Sequence, residues 1–368
     1  MTEAGGNEGG GGPLAGLLGR PVVVCCGPGG VGKTTVAAAL ALQVARSGRR
    51  ACVVTVDPAR RLADSLGVES LPNVPTVVAG DWSGSLHALM LDTKGTFDDL
   101  VEQYAGSAEQ AEAIRANRIY QNLSGLLSGT QEYMAMEKLY ELTESGDYDT
   151  VVVDTPPTRN ALDLLDAPRR LTRFLENRLF RALLLPTQAY MRAMGVATHA
   201  LLRTISRVAG AEIVDDAVGF FRAFSGMEEG FRARAGAVRT LLADPSTAYV
   251  VVTSPRPDAI EEATYFVTKL SDTDVSAAAL VVNRVRPFFG APSAPDPVVA
   301  GGGALADLVA NLVQLNAAAR DDERAVAGLV EHVAPAPVGR IALLSSDVHD
   351  LAGLALVADR LFDDRPVR

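Results

Sequence analysis

The sequence predicts an α/β fold, a mostly parallel central sheet flanked by helices, with an inserted helical subdomain. Three observations carry this. Short β-branched runs alternate with helical patterns from end to end, the form taken by a sheet covered on both faces. The runs "VVVCC", "VVVD" and "YVVVT" are continuous rather than alternating, as strands buried on both faces should be. Two stretches, about 96–147 and 158–244, carry helical periodicity without a strand pattern and are expected to form the subdomain. Strands are expected at 22–26, 51–56, 86–92, 150–154, 249–253, 280–283 and 339–343.

The chain of 368 residues can bury a sizeable core, and 48% hydrophobic with 21% charged residues reads as globular. A net charge of −10 argues against nucleic-acid binding, so any phosphate must be held by local geometry. Three cysteines, two of them adjacent in an expected buried strand, suit no disulfide framework and point to a reducing cytoplasm. Residues 1–18, rich in glycine and without a basic start or an apolar run, are expected as a flexible tail rather than a secretion signal. The apolar stretch "LFRALLLPTQAYMRAMGVATHALL" is interrupted by Arg181, Pro186, Gln188 and Arg192, so no stable membrane insertion is expected. The segment 286–306, rich in proline, glycine and alanine, is expected as a mobile loop.

The chemistry begins at "GPGGVGKTT". Gly27, Gly32, Lys33 and Thr34 satisfy G-x-x-x-x-G-K-[ST], after one expected strand and before the helix "TTVAAALALQVARSG". That context makes residues 19–368 a single P-loop NTPase domain in expectation. The glycines let successive N–H groups point at a phosphate chain, and the helix N-terminus adds its positive end. Gly29, Gly30, Val31, Gly32, Lys33, Thr34 and Thr35 are thus expected to bind ATP or ADP. Lys33 would meet the β- and γ-phosphates and Thr34 the Mg²⁺ ion; a glycine-rich turn without a ligand is the alternative.

Three strand ends add candidates. Asp57 in "TVDPARRLADSLG" closes the second expected strand, where ligands gather in parallel sheets. It is expected to hold the attacking water and to stand near the metal, or else to cap the following helix with Pro58 at the first position. Asp154 closes "YDTVVVD", the placement of an acid linked to Mg²⁺ through water, with 155–160 as the switch after it; a strand-end cap is the alternative. Asn283 in "VVNR" could match the adenine edge, or simply form a turn.

Taken together, "GGVGKTT", "VDPARRLADSLG", "GTQEYMAMEKLYELTESGDYDTVVVDTPPTRNALDLLDAP", "VVNR" and "LLSSDVHDL" resemble the arsenite-pump ATPases, a group of deviant P-loop ATPases that also holds the targeting factor for tail-anchored membrane proteins. Chromosome-partitioning and division-site ATPases are the less similar alternative. The resemblance implies an ATP-dependent dimer whose helical subdomains form a surface for a hydrophobic client. It also implies Asp57 as the water-orienting carboxylate, Asp154 as the Mg²⁺-linked acid and Asn283 as the adenine contact. Glu132, on the acidic helix that opens the third of these motifs, is expected on a solvated face without chemistry.

Departures from the family pattern narrow what transfers. No cysteine lies beyond Cys52, so neither the metalloid cysteines nor the C-x-x-C zinc site is present. The switch reads "PPTRN", and Ala342 stands where a proline often borders the base. Above all, Pro28 replaces the lysine that in relatives reaches the other subunit's phosphates. Two readings follow: an ATPase driving capture of a client, as a homodimer or heterodimer, or a weakly hydrolysing subunit paired with a lysine-bearing homologue. Arg60 or Arg159 could instead supply the charge. Phe180, Leu183, Leu184, Tyr190, Met191 and Met194 recur at helical spacing and suit either an adaptable groove or ordinary packing.

Overall fold

The computed structural model describes residues 12–57, 60–118, 120–121, 130–156, 162–175, 216, 219–220, 223–290 and 303–362. The strands are β1 (Val22–Cys26), β2 (Arg50–Thr55), β3 (Thr76–Val77), β4 (Ser85–Met90), β5 (Thr150–Asp154), β6 (Thr247–Thr253), β7 (Ala277–Val285) and β8 (Val338–Ala342). The helices used below are α1 (Lys33–Arg46), α2 (Arg61–Leu66), α3 (Thr93–Tyr104), α4 (Ala108–Ala116), α5 (Thr130–Glu144), α6 (Leu162–Leu175), α7 (Glu228–Ala243), α8 (Pro257–Ser271), α9 (Ala304–Val333) and α10 (Leu351–Phe362). The chain divides into two compact units, one of residues 1–90, 141–162 and 245–368, the other of residues 91–140 and 163–244.

The first unit holds one sheet in the order β3-β4-β2-β5-β1-β6-β7-β8, parallel except where β3 pairs antiparallel with β4. Every residue of β1, β5 and β6 is buried, which is why their sequences run apolar without alternation. In register, Val53, Val152, Val23 and Ala248 form one row across four strands. This row belongs to a core shared with Val36, Leu40 and Val44 of α1, Leu62 and Leu66 of α2, and Leu354, Val357 and Leu361 of α10. In the same unit α8 packs against β6 and α9 against β7. Each fully buried valine or leucine contributes about 1.5–3 kcal/mol relative to exposure.

Parts of the expected tail and loop are ordered. Leu14 is fully buried and Leu17 nearly so, both in the core cluster, and Gly12 N donates to Phe362 O at 2.8 Å. A tail of residues 1–18 is therefore too long, because two leucines within it bury against α10's end of the core. Of the expected loop 286–306, Arg286 binds Asp322 through its backbone N (2.9 Å) and guanidinium, and Phe289 N donates to Asn316 Oδ1 at 2.9 Å. Its far end is already helix from Ala304, while 291–302 lie outside the described residues.

The second unit packs aromatic side chains. Phe97 of α3 stacks on Tyr120 at 5.3 Å, and Phe231 of α7 meets Phe97, Tyr104 and Phe224. Side-chain caps start two of its helices, Asp92 accepting from Lys94 N at α3 and Ser107 from Gln110 N at α4. Residues 133–139 of α5 are buried throughout, and Glu132 before them is half-buried, so this is not a solvated face. Within the run, Glu137 is buried and held by Arg234 Nε at 2.6 Å, with Arg234 lying over the Tyr140 ring. The Met-bearing stretch of 180–194 lies outside the described residues.

Candidate nucleotide-binding site

The site forms where the sheet changes direction. From β1 the strands run one way to β5 and β2 and the other way to β6 and β7, which opens a crevice at the C-terminal ends. The loop between β1 and α1 lies there. Gly27 stands at φ +140°, and a Cβ on it would fall 2.1 Å from Val252 O, so no larger residue fits beside β6. Gly32 is the N-cap of α1 at φ +95°, with no side-chain cap. The first-turn N–H groups of α1 have no acceptor within the helix and open at the crevice. A Cβ on Gly32 would fall 2.3 Å from Asn283 Nδ2, so β7 presses on the loop as closely as β6 does.

Lys33 is buried at the helix start, its Nζ donating to Gly27 O at 2.9 Å and Pro28 O at 2.8 Å. Burial lowers its pKa, opposed by Asp154 and, more weakly, by Asp57 among other groups. The ammonium thus sits on neutral carbonyls with its charge uncompensated by direct contact, a state an anion would stabilise. Pro28 itself is buried in the loop.

Behind the loop, the ends of β2 and β5 and the start of α1 converge on one carboxylate. Asp154 Oδ2 accepts from Thr34 Oγ1 at 2.7 Å and from Thr55 Oγ1 at 2.8 Å. Burial pushes its pKa up to about 6 against the pull of the two hydroxyls and Lys33. Its other oxygen, Oδ1, is buried without a hydrogen-bond partner. An orphaned carboxylate oxygen beside a threonine hydroxyl is a hard, oxygen-only donor set, which fits Mg²⁺ or one of its waters. Asp57 N donates to Thr55 Oγ1 at 3.2 Å, and Asp57 Oδ2 pairs with Arg61 Nη1 at 3.1 Å. The N-cap position of α2 is Arg60, three residues beyond Asp57. The Asp57 carboxylate lines the cleft.

Asn283 Nδ2 donates to Val31 O at 2.8 Å, and its Oδ1 accepts from Arg284 N at 2.8 Å. It ties β7 to the loop and lines the cleft with one amide hydrogen still available to a ligand. The cleft has a volume of 740 Å³ and joins Gly30, Gly32, Lys33, Thr34, Thr35, Asp57 and Asn283 to an apolar wall of Ile341, Ala342 and Leu343. Gly29 is exposed on the loop, and Val31 buries its side chain in the core. Thr155 closes the floor, its Oγ1 donating to Cys25 O at 2.8 Å. Residues 157–160 of the expected switch, with Arg159, lie outside the described residues. Sequence reasoning missed Thr55, Arg61, Arg256 and Arg284. Thr55 and Arg284 adjoin residues already singled out, and that proximity was the available signal.

Residues 20–288 match the family model described as anion-transporting ATPase. The chain belongs to the anion-transporting ATPase family. Among similar proteins, an uncharacterized protein of Streptomyces coelicolor is 31% identical over 262 residues, covering 71% of this chain and 61% of that one. The ATPase ARSA2 of Chlamydomonas reinhardtii is 28% identical over 267 residues, covering 70% and 66%. An ATPase ASNA1 homolog of Cryptosporidium parvum is 28% identical over 271 residues, covering 73% and 66%. The chain thus spans just under two thirds of the length of each relative. Membership agrees with the α/β P-loop fold and with the loop geometry. No helix among the described residues is long and apolar enough to cross a membrane.

Proposed function

We propose that this anion-transporting ATPase family chain binds Mg-ATP in the 740 Å³ cleft and hydrolyses it. The observation that carries the reading is the Thr34–Asp154–Thr55 network with its orphaned Asp154 Oδ1, set directly behind a buried Lys33. Thr34, Asp57 and Asp154 are the residues that would hold Mg²⁺, with Asp154 acting through water. When bound, the ion offsets negative charge on the phosphates. Lys33 and the loop and helix N–H groups bind the phosphate chain, and Asn283 with the wall at Ile341–Leu343 receives the adenine.

In the reaction, the bond that breaks is between the terminal phosphorus and its bridging oxygen, and the bond that forms is to a water oxygen. Asp57 orients that water from the rim of the cleft, and its ion pair with Arg61 holds the carboxylate in place. Such a role matters chiefly in the transition state. Asp57→Asn should therefore lower phosphate release at least tenfold while leaving the Kd for ATP within about twofold. A variant that releases phosphate at the wild-type rate excludes Asp57 from the chemistry.

The wider reading is a nucleotide-dependent dimer that binds a hydrophobic protein client in a reducing cytoplasm. The similarity to ATPases of this family and the three buried cysteines, none of them in a disulfide, support it. Pro28 favours a second reading, in which this chain hydrolyses slowly alone and pairs with a homologue that carries lysine at that loop position.

A further inference from the structure

The cleft contains a cation that the motif reading does not use. Lys33, Arg61, Arg256 and Arg284 all line it. Arg61 is paired with Asp57, and Arg256 with Asp258. Arg284 has no carboxylate partner among the described residues; its guanidinium Nη1 rests on Gly30 O at 3.1 Å, at the rim of the phosphate loop. Its backbone is equally particular. Arg284 sits at φ +61°, in the left-handed region that a long side chain rarely adopts. The register between β7 and β8 shifts between Val282 and Val285, and Arg284 N is held by its neighbour's Asn283 Oδ1. The strand is thus broken for two residues, so that Asn283 reaches the loop from inside and Arg284 from outside. Strain of this kind persists where the surrounding structure holds it, and it gathers at ligand sites.

We propose that Arg284 is a phosphate-binding residue, whose guanidinium moves from Gly30 O onto the phosphate chain of the nucleotide held in its own cleft. This rests on the P-loop reading above. A magnesium-bound triphosphate carries more negative charge than Lys33 alone offsets, and an arginine resting on one neutral carbonyl has four further N–H donors for it. The exchange breaks one neutral hydrogen bond and makes charge-assisted ones. The same residue joins the base-side strand to the phosphate loop, so it distinguishes nucleoside triphosphates and diphosphates from nucleosides.

Arg284→Gly is the informative variant, because glycine is relaxed at φ +61° and the fold should lose nothing with the side chain. The test is calorimetric titration of wild type, Arg284→Gly and Arg284→Lys with Mg-ATP at 50 and 500 mM KCl, with unfolding temperatures measured alongside. The expected result is about tenfold weaker binding by Arg284→Gly at low salt, a loss that shrinks at high salt as screening removes the charge term, with partial recovery in Arg284→Lys. The unfolding temperature should not fall. Equal affinities in all three proteins overturn the proposal. So does an equal loss at both salt concentrations, which marks a loop-holding role. Recovery of Arg284→Gly hydrolysis on adding excess Lys33→Ala chains overturns the assignment to its own cleft. Absence of binding by the wild type overturns the P-loop reading itself, and that outcome is separable from the others.

Discussion

Asp154 gives the site a pH signature. Its folded pKa, near 6, lies above the ordinary carboxylate value of 3.8. The sign follows from linkage: a raised acid favours the folded state most when protonated, below about pH 4, and this advantage is lost as pH rises through 6. In metal-free buffer with chelator, wild type should therefore lose stability relative to Asp154→Asn between pH 4 and 6, by on the order of 3 kcal/mol, and then level off. Thermal unfolding of both proteins across that range measures it; parallel curves would remove the burial argument. At Gly27 the limit is steric. A Cβ would meet Val252 O at 2.1 Å, so Gly27→Ala should cost about 2–4 kcal/mol in chemical denaturation through displacement of the loop or β6. The motif residues were legible because the chain itself spaces them. Thr55, Arg61 and Arg284 were not, since their roles come from strand ends and a helix start that meet only in the fold.

Among the elements, the strands were legible where burial on both faces removes alternation, as in β1, β5 and β6. Their ends were less so: β7 runs from Ala277 to Val285, beyond the expected 280–283, because Ala277 and Ala279 pair with β6 and Val285 with β8, and the alanines carry no β-branched signature. The two-residue β3 carries no periodicity at all and exists only by pairing with β4. Leu14 and Leu17 read as tail because glycine dominates their neighbourhood, yet two leucines suffice to bury the segment. In the second unit, α7 depends on Phe231, which is buried at 1% exposure among aromatic neighbours. Phe231→Ala should destabilise by about 3–5 kcal/mol, read by denaturant unfolding. Arg234→Met, which removes the guanidinium 2.6 Å from the buried Glu137, should cost about as much. Restoration on adding Glu137→Gln would confirm that the Glu137 charge is the cause.

For the whole molecule, the fold, the P-loop and the family were readable from spacing and strand context. The client surface was not, because helical apolar spacing is the same for a groove and a core. Assembly turns on Pro28, which has neither charge nor N–H. If the second reading holds, turnover by the wild type alone should be slow, and it should rise at least tenfold for Pro28→Lys or on mixing with a lysine-bearing homologue. Fast turnover alone, unchanged by either, would favour Arg284 or another cation of its own cleft.

The central claim is that the loop after β1 holds the phosphates of a nucleotide through Lys33, and calorimetric titration with Mg-ATP and Mg-ADP tests it most directly. Wild type should bind both at about one site per chain, and Lys33→Ala, with an unchanged circular dichroism spectrum, should show no heat of binding, because the buried ammonium at the loop is lost. Unchanged affinity in Lys33→Ala would contradict the account.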